Sequence, residues 1–563
     1  MTDVESPARI ATCLSGGVTV GFAGVATPAQ LTVETMCSCG GRHPMSPSAE
    51  PAAVGVFAAA GRLAQTWADP AKGTLGRGAL SQTRLFYSVT GGPGATGRVV
   101  RFSTDFADLA GVRSGIWPAA VAATLAGHAL PVPLTPYEGV FQLACGTTLS
   151  TFGARERLSL QELDLDELVD DARRLVGRSS DPREVVRRAL RHAIADVLDT
   201  AGTDGLVGDG GGLGAAALAS VGSARLRRLH VHVDVPVLDR RRGRLLPDTV
   251  VIDGTPHWRQ TCEGPHFGLP HDCDPWPPAP NLLRQAGCET VPLLSGSGLV
   301  RLLAGAGAET GRLRTGWLQL TMASPFPALF GRSGWRAWHP PGVEVPASVA
   351  TPEPVPVASS HEHGDPVVSG PGGWISPAVG AAGVAVTSAR TASHLVPVDD
   401  DPETVVPGAA VVQAVVDGLE RFLPPAPGEP RQAPVLVCAH PVVVGAVVQL
   451  ARHGRLRVRR RDGYIQSAPL LHDLVPDGWR PSDVTPGERD RLLAAAFVTR
   501  RLATREQRAK LLAQVEGSPW IVADRLSAVL SDSRRVLFEA QALQRLYVTA
   551  ARHPGVLSSG DQP

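Results

Sequence analysis

Residues 209–216 read D-G-G-G-L-G-A-A, between a short apolar run, Leu206–Val207, and a stretch of small residues suited to a helix. A glycine-rich loop between strand and helix can cradle pyrophosphate: glycines let backbone N–H groups approach the oxygens, and the helix N-terminus adds partial positive charge. Asp209, Gly210, Gly211, Gly212, Leu213 and Gly214 are therefore candidate cofactor-binding residues. Past Asp209 the loop lacks the hydroxyl and carboxylate side chains that a catalytic phosphate site uses, and a tight strand-to-helix turn would need the same glycines.

Other groupings suggest metal chemistry. His257, Cys262, His266, His271 and Cys273 fall within seventeen residues, a soft-donor and imidazole set that suits structural zinc. No pair among them has a recognised ligand interval. Cys37 and Cys39 with His43 have the wrong spacing for a zinc knuckle, and core thiols are the simpler reading. His361, His363 and Asp365 imitate part of a metallohydrolase string but sit in a proline-rich stretch with no strand before it. Arg240–Arg242 with Arg244, and Arg457 with Arg459–Arg461, could meet phosphates or an acidic peptide; solvated turns are the default for such clusters.

The elements around the glycine loop give it a frame. Asp181 or Ser180 can cap a helix whose first turn takes Pro182. Val185/Val186, Ala189/Leu190, Ala193/Ile194 and Val197/Leu198 then repeat at spacing four and form one apolar stripe. A strand at Leu206–Val207, the loop, a helix from about Leu213 and a strand from Leu229 complete a βαβ unit with parallel strands. Before it, residues 1–150 are rich in Val, Thr, Gly and Pro and predict β structure, including a hairpin over 85–103. Residues 162–174 predict a helical connector, 340–377 a long loop, and 485–515 and 520–552 helices with Leu526, Val529, Leu530, Leu537, Leu543 and Leu546 supplying apolar positions.

Bulk properties narrow the partners. With 563 residues, 43% hydrophobic and 19% charged, the chain can fill two or more cores. A formal net charge of +1 gives no electrostatic reason to expect nucleic acid or an anionic membrane. Residues 433–451 are the most apolar stretch, but His440, Pro441 and Gln449 interrupt it, so a buried strand and helix is expected there. The first residues show no basic segment followed by an apolar core, and the eight cysteines are expected to be reduced thiols; a cytoplasmic location follows as an expectation.

The order of these elements resembles the asparagine-synthetase family, whose ATP-pyrophosphatase loop reads S-G-G-L-D-S-S; residues 210–216 fall on it position by position. Residues 135–149 (T-P-Y-E-G-V-F-Q-L-A-C-G-T-T-L) are similar to the family's t-p-y-e-g-v segment, and 274–280 to its D-E-P-x-P. Residues 293–303 (L-L-S-G-S-G-L-V-R-L-L) are similar to l-l-s-G-D-G-G-D-E-L-l, and 464–476 to the family's Y-K-P-L-L stretch. Spacing and size most resemble the lasso-peptide macrolactam synthetases and β-lactam synthetases. The resemblance implies an α/β protein. A class II glutamine-amidotransferase-like β-rich domain would span 1–150 and a connector 151–180, before an ATP-pyrophosphatase-like parallel-sheet domain over 181–555. It adds Ser295, Gly296, Ser297 and Gly298 to the candidate cofactor-binding residues, with ATP and Mg²⁺ as cofactors and a peptide or a partner biosynthetic protein as ligand.

The departures fall on the chemically active positions. The loop's serines and aspartate are Gly210, Gly214, Ala215 and Ala216, the second motif's first aspartate is Ser297, and its acidic pair is Val300 and Arg301. Tyr464 or Ile465 stands where the family has a lysine, an aspartate is missing around Cys438–Pro441, and residue 2 is Thr2 rather than the glutamine-hydrolysing cysteine. Mg²⁺ beside phosphate is usually held by one or two carboxylates, and losing one oxyanion contact costs roughly 3–4 kcal/mol of barrier. The expectation is a pseudo-synthetase. The alternatives are an active ligase with metal ligands relocated to Asp209, Asp234 or Asp253, and a zinc-stabilised binding module.

Overall fold

The computed structural model describes residues 19–37, 41–46, 50–91, 98–106, 108–109, 139–152, 157–161, 163–208, 213–222, 225–232, 249–253, 291–296, 298–300, 435–456, 459–461, 464–466, 468–475, 486–518 and 520–552. Shorter pieces at 125, 132, 135, 137, 255, 302–303, 373–375, 408, 411–412, 415–416 and 419 complete it.

The N-terminal strands are β1 (Thr19–Ala26), β2 (Leu31–Cys37), β3 (Arg42–Pro44), β4 (Ala52–Val54), β5 (Thr66–Asp69), β6 (Thr74–Arg77), β7 (Phe86–Thr90), β8 (Val99–Ser103), β9 (Phe141–Gln142), β10 (Thr147–Ser150) and β11 (Arg157–Leu160). They make two antiparallel sheets, ordered β3-β2-β1-β8-β7-β9 and β11-β10-β6-β5-β4. The expected hairpin is β7–β8, in register from Phe86↔Ser103 to Thr90↔Val99. Alternating residues of both sheets, among them Phe22, Leu31, Leu75, Tyr87, Phe102 and Leu149, share one buried cluster, so the sheets pack face to face. Fully buried Arg77 ties them: Nη1 donates to the Leu143 carbonyl (3.1 Å) and Nη2 to that of Ser81 (3.2 Å). Burial lowers its pKa.

The C-terminal part opens with α1 (Leu165–Val176) and α2 (Pro182–Ala201), capped by Asp164 and Asp181 with Pro182 in the first turn of α2. Then come β12 (Gly205–Gly208), α3 (Leu213–Val221), β13 (Leu226–His232), β14 (Thr249–Asp253), β15 (Leu293–Ser295), β16 (Val435–Leu436) and α4 (Pro441–Arg452). The strands form a parallel sheet ordered β14-β13-β12-β15-β16. Side chains alternate across it: Val207 and Leu294 join α1 to α4 in the largest core, and Leu206 and Leu293 face the other side with Leu229 and Ile252. The protein is thus mixed α/β, antiparallel N-terminally and parallel C-terminally.

Three expectations shift. The 162–174 helix does more than connect, because α1 buries Leu165, Leu168, Val169, Ala172 and Val176 against α4. The strand expected from Leu229 begins at Leu226, since Arg227 and Arg228 pair with Leu206 and Val207 through backbone that an apolar pattern does not reveal. The stretches 485–515 and 520–552 are five helices, α6 (Pro486–Arg501), α7 (Arg505–Gln514), α8 (Ala523–Ser531), α9 (Ser533–Phe538) and α10 (Ala540–Arg552), after a short α5 (Pro469–His472). Thr504 starts α7 with a capping box and Asp532 caps α9. That break resets the periodicity, which leaves Leu537 53% exposed rather than in the core. Trp374, buried in this helical unit, accepts from Val522 N–H at 2.7 Å and donates its indole N–H to Glu539.

The two parts share a core in which Phe57, Ala64, Ala79, Leu80 and Cys145 pack with α1–α4 residues. Among the described residues, no helix is long and apolar enough to cross a membrane.

Candidate functional site

The order of strands in the parallel sheet marks a candidate site. From β12 the chain moves outward through β13 to β14, then returns to the other side of β12 with β15 and β16. In open α/β sheets such a reversal marks where ligands bind, beyond the C-terminal ends of the two flanking strands, which here are β12 and β15. Gly208 ends β12 and Ser295 ends β15. The two motifs singled out in the sequence therefore leave the sheet side by side.

They meet as backbone. A Cβ added at Gly214, in the first turn of α3, would lie 2.2 Å from the Gly296 carbonyl oxygen and 2.9 Å from its carbon. A Cβ added at Gly296 would lie 2.2 Å from Gly214 C and 2.3 Å from Ala215 N. Neither position has room for a side chain, because backbone atoms fill the space. Gly298 has φ +85, which favours glycine, and a Cβ there would be 2.6 Å from Cys438 Sγ. Leu302 N–H donates to the Gly298 carbonyl (2.7 Å), so a helical turn starts directly behind the loop.

Of the candidate residues, Leu213, Gly214, Ser295, Gly296 and Gly298 are brought together here; Asp209, Gly210, Gly211, Gly212 and Ser297 lie outside the described residues. Ala215 and Ala216 are buried in α3, and Val300 is half-buried. Arg301, Asp234, Arg240–Arg242, Arg244 and Arg457, the segment 274–280, the His257–Cys273 set and the His361–Asp365 string also lie outside the described residues, as does Cys39. Cys37 is buried on β2, and His43 is on the neighbouring β3. Among the described residues no group of three His, Cys, Asp or Glu could hold a metal ion. Asp253 ends β14, two strands or roughly 10 Å from β12, and its carboxylate accepts Thr255 N–H at 2.9 Å. Tyr464 and Ile465 belong to a two-stranded ribbon, β17 (Arg459–Arg461) with β18 (Tyr464–Gln466), where Arg461 pairs with Tyr464.

The wall beside β15 is the turn 437–440 after β16. Cys438 is buried, and desolvation pushes its thiol up to about 12. A thiol protonated at neutral pH is a poor nucleophile, so Cys438 packs as a small apolar group. Alkylation of the native chain by iodoacetamide at about pH 8 is expected to label Cys438 at least ~100-fold more slowly than a free cysteine. Peptide mapping by mass spectrometry checks this, with the denatured chain as the reference.

Sequence reasoning missed two contacts that shape this wall. Gln82 donates Nε2–H to the Leu436 carbonyl (3.0 Å), and its Oε1 accepts Leu436 N–H (2.8 Å), so an amide side chain pairs with outer strand β16 as a further strand would. His440 joins the turn to α2 through Asp196. The partners are 354 and 244 residues apart, and no local pattern marks either pair.

No family model matches this chain, and no curated protein matches it.

Proposed function

We propose that this chain is a pseudo-synthetase of asparagine-synthetase-like layout, nearest in plan to the lasso-peptide macrolactam synthetases, and that it binds a peptide or a partner biosynthetic protein without adenylating a carboxylate. The observation that carries this is the Gly214–Gly296 contact at the reversal of the parallel sheet. Where the resemblance puts a loop aspartate, the Gly296 carbonyl occupies the place of its Cβ; where it puts serines, alanines are buried. The two facing antiparallel sheets ahead of the α/β unit suit an amidotransferase-like domain and support the same layout.

The residues described around the candidate site do not fit Mg²⁺-ATP. Octahedral Mg²⁺ beside a triphosphate calls for carboxylate oxygens, and the described residues at the ends of β12, β15 and β16 carry none. A site walled by Gly208, Gly214, Gly296, Gly298 and Cys438 instead offers backbone groups and small apolar contacts, which suit a neutral peptide segment better than a polyanion.

A thermal-shift titration tests the reading. A site with Kd near 10 µM would stabilise the fold by about 2.7 kcal/mol at a hundredfold excess of ligand. We expect no rise in Tm with Mg²⁺-ATP up to millimolar levels, no Mg²⁺-dependent pyrophosphate exchange, and co-purification with a partner. Exchange at an ordinary enzymatic rate would end the proposal in favour of a working ligase with relocated ligands. Stoichiometric zinc by elemental analysis, with stability lost to chelator, would favour the zinc-stabilised module.

A further inference from the structure

α10 buries an apolar stripe, in which Ala542, Leu543, Leu546 and Ala550 join the helical core with Phe497 and Leu526. Arg545 and Thr549 border that stripe. They are four residues apart on one helix, so they stand one turn from each other with Cβ atoms about 5–6 Å apart. Neither is satisfied. Arg545 Nε is sealed from solvent without a hydrogen-bond partner, and so is Thr549 Oγ1, in a residue only 1% exposed. A helical threonine commonly donates to the carbonyl one turn back, and Thr549 lacks even that bond. Arg545 as a whole is half-buried, so part of its side chain stays open to an incoming group.

Other arginines show what is missing. Arg42 has Asp108, which raises its pKa, and Arg225 has Asp199. The guanidinium of Arg545 feels burial alone, which pulls its pKa down to about 10 with no carboxylate opposing the shift. It therefore stays charged at neutral pH. The nearest described acids before it in the chain are committed elsewhere: Glu539 accepts from the Trp374 indole, and Asp532 caps α9. Buried polar groups in folded proteins are nearly always paired, and a desolvated cation without a counter-charge is costlier than an unpaired neutral group. A charge kept in such a place with no partner inside the fold calls for one from outside.

We propose that Arg545 and Thr549 form an anion-binding site on the C-terminal helical unit, and that the anion is a carboxylate. One guanidinium balances one negative charge, and its planar fork matches the two oxygens of a carboxylate through parallel N–H···O bonds. Thr549 adds a hydroxyl donor from the same side. A phosphate dianion would be only half neutralised here, and it gives up its water less readily in a partly desolvated site. The carboxylate can come from a peptide C-terminus or from an acidic side chain. The site does not rest on the reading of the parallel sheet.

The test follows Tm of the full chain at matched ionic strength, without nucleotide. N-acetyl-leucine presents a C-terminal carboxylate, N-acetyl-isoglutamine a side-chain carboxylate, and N-acetyl-leucinamide no charge; inorganic phosphate is the fourth probe. At least one carboxylate is expected to raise the wild-type Tm by about 2 °C at ~20 mM, the stronger of the two naming the source. The amide should do nothing. Apparent affinity should fall at least about tenfold in Arg545→Met and roughly three- to tenfold in Thr549→Val. Without any probe, Arg545→Met is expected to melt no lower than wild type, because it removes a charge that nothing in the fold pairs. A variant several degrees less stable, or unfolded, would reveal an internal partner and overturn the site. No response to either carboxylate, an Arg545-dependent phosphate response of equal size, or carboxylate responses unchanged in Thr549→Val would overturn it as well.

Discussion

Gly214→Asp, which writes the aspartate of the resembling loop back into the chain, is expected to destabilise the fold by about 3 kcal/mol or more and to leave Mg²⁺-ATP binding no stronger. The new Cβ would start 2.2 Å from the Gly296 carbonyl oxygen. Relief requires either the first turn of α3 or the loop after β15 to move, and both are anchored in the sheet through Gly208 and Leu294. The carboxylate would also point its charge at a carbonyl dipole. Gly296→Ala should fail similarly, because its Cβ would start 2.2 Å from Gly214 C. Ala219→Ser, half-buried on the same helix, is the control and should stay within about 0.5 kcal/mol of wild type. Urea unfolding of the three variants measures the effect. A Gly214→Asp protein as stable as wild type would mean that the two motifs do not touch as described, and the proposed loss of function would lose its basis.

Gln82→Leu is expected to cost about 2–3 kcal/mol, although the side chain keeps its approximate size and is only half-buried. Removing the amide strands two backbone groups of Leu436, a residue 5% exposed, and an unsatisfied buried group costs about 1–3 kcal/mol each. Gln82→Glu should cost at least as much, since the ionised carboxylate can accept Leu436 N–H but repels its carbonyl. Hydrogen exchange at the Leu436 amide should quicken in both variants, while exchange in β1 and β2, remote from the contact, stays as in wild type. If Leu436 remains equally protected, another group covers the strand and Gln82 is incidental.

Gln82 also shows what a linear reading misses. It sits in a polar stretch, S-Q-T-R, and Leu436 sits in the apolar run read as a buried strand and helix. The hydrogen bonds between them span 354 positions, so neither stretch marks the other. His440 is similar: the sequence marks it as an interruption of an apolar stretch, whereas the fold makes it the cap of α4 and a partner of Asp196. Local signals did reach the helix starts, where Asp181 and Pro182 act within one turn. They do not reach α9, because Asp532 ends one helix and caps the next without disturbing the leucine pattern, and Leu537, an apolar position of that pattern, stays exposed.

The sequence by itself determined the mixed α/β class of this protein and the frame of the candidate site. Periodicity and capping chemistry act over a few residues, so they specified β-rich structure before residue 150, the striped helix α2 and the β12–α3–β13 unit. Only the tertiary structure decided that β15 lies beside β12, that Gly296 fills the space where a Gly214 side chain would begin, and that Gln82 closes the β16 edge. Each of those depends on backbone packing between segments tens to hundreds of residues apart. Glycine announces that something must come close; which backbone arrives is settled by strand order.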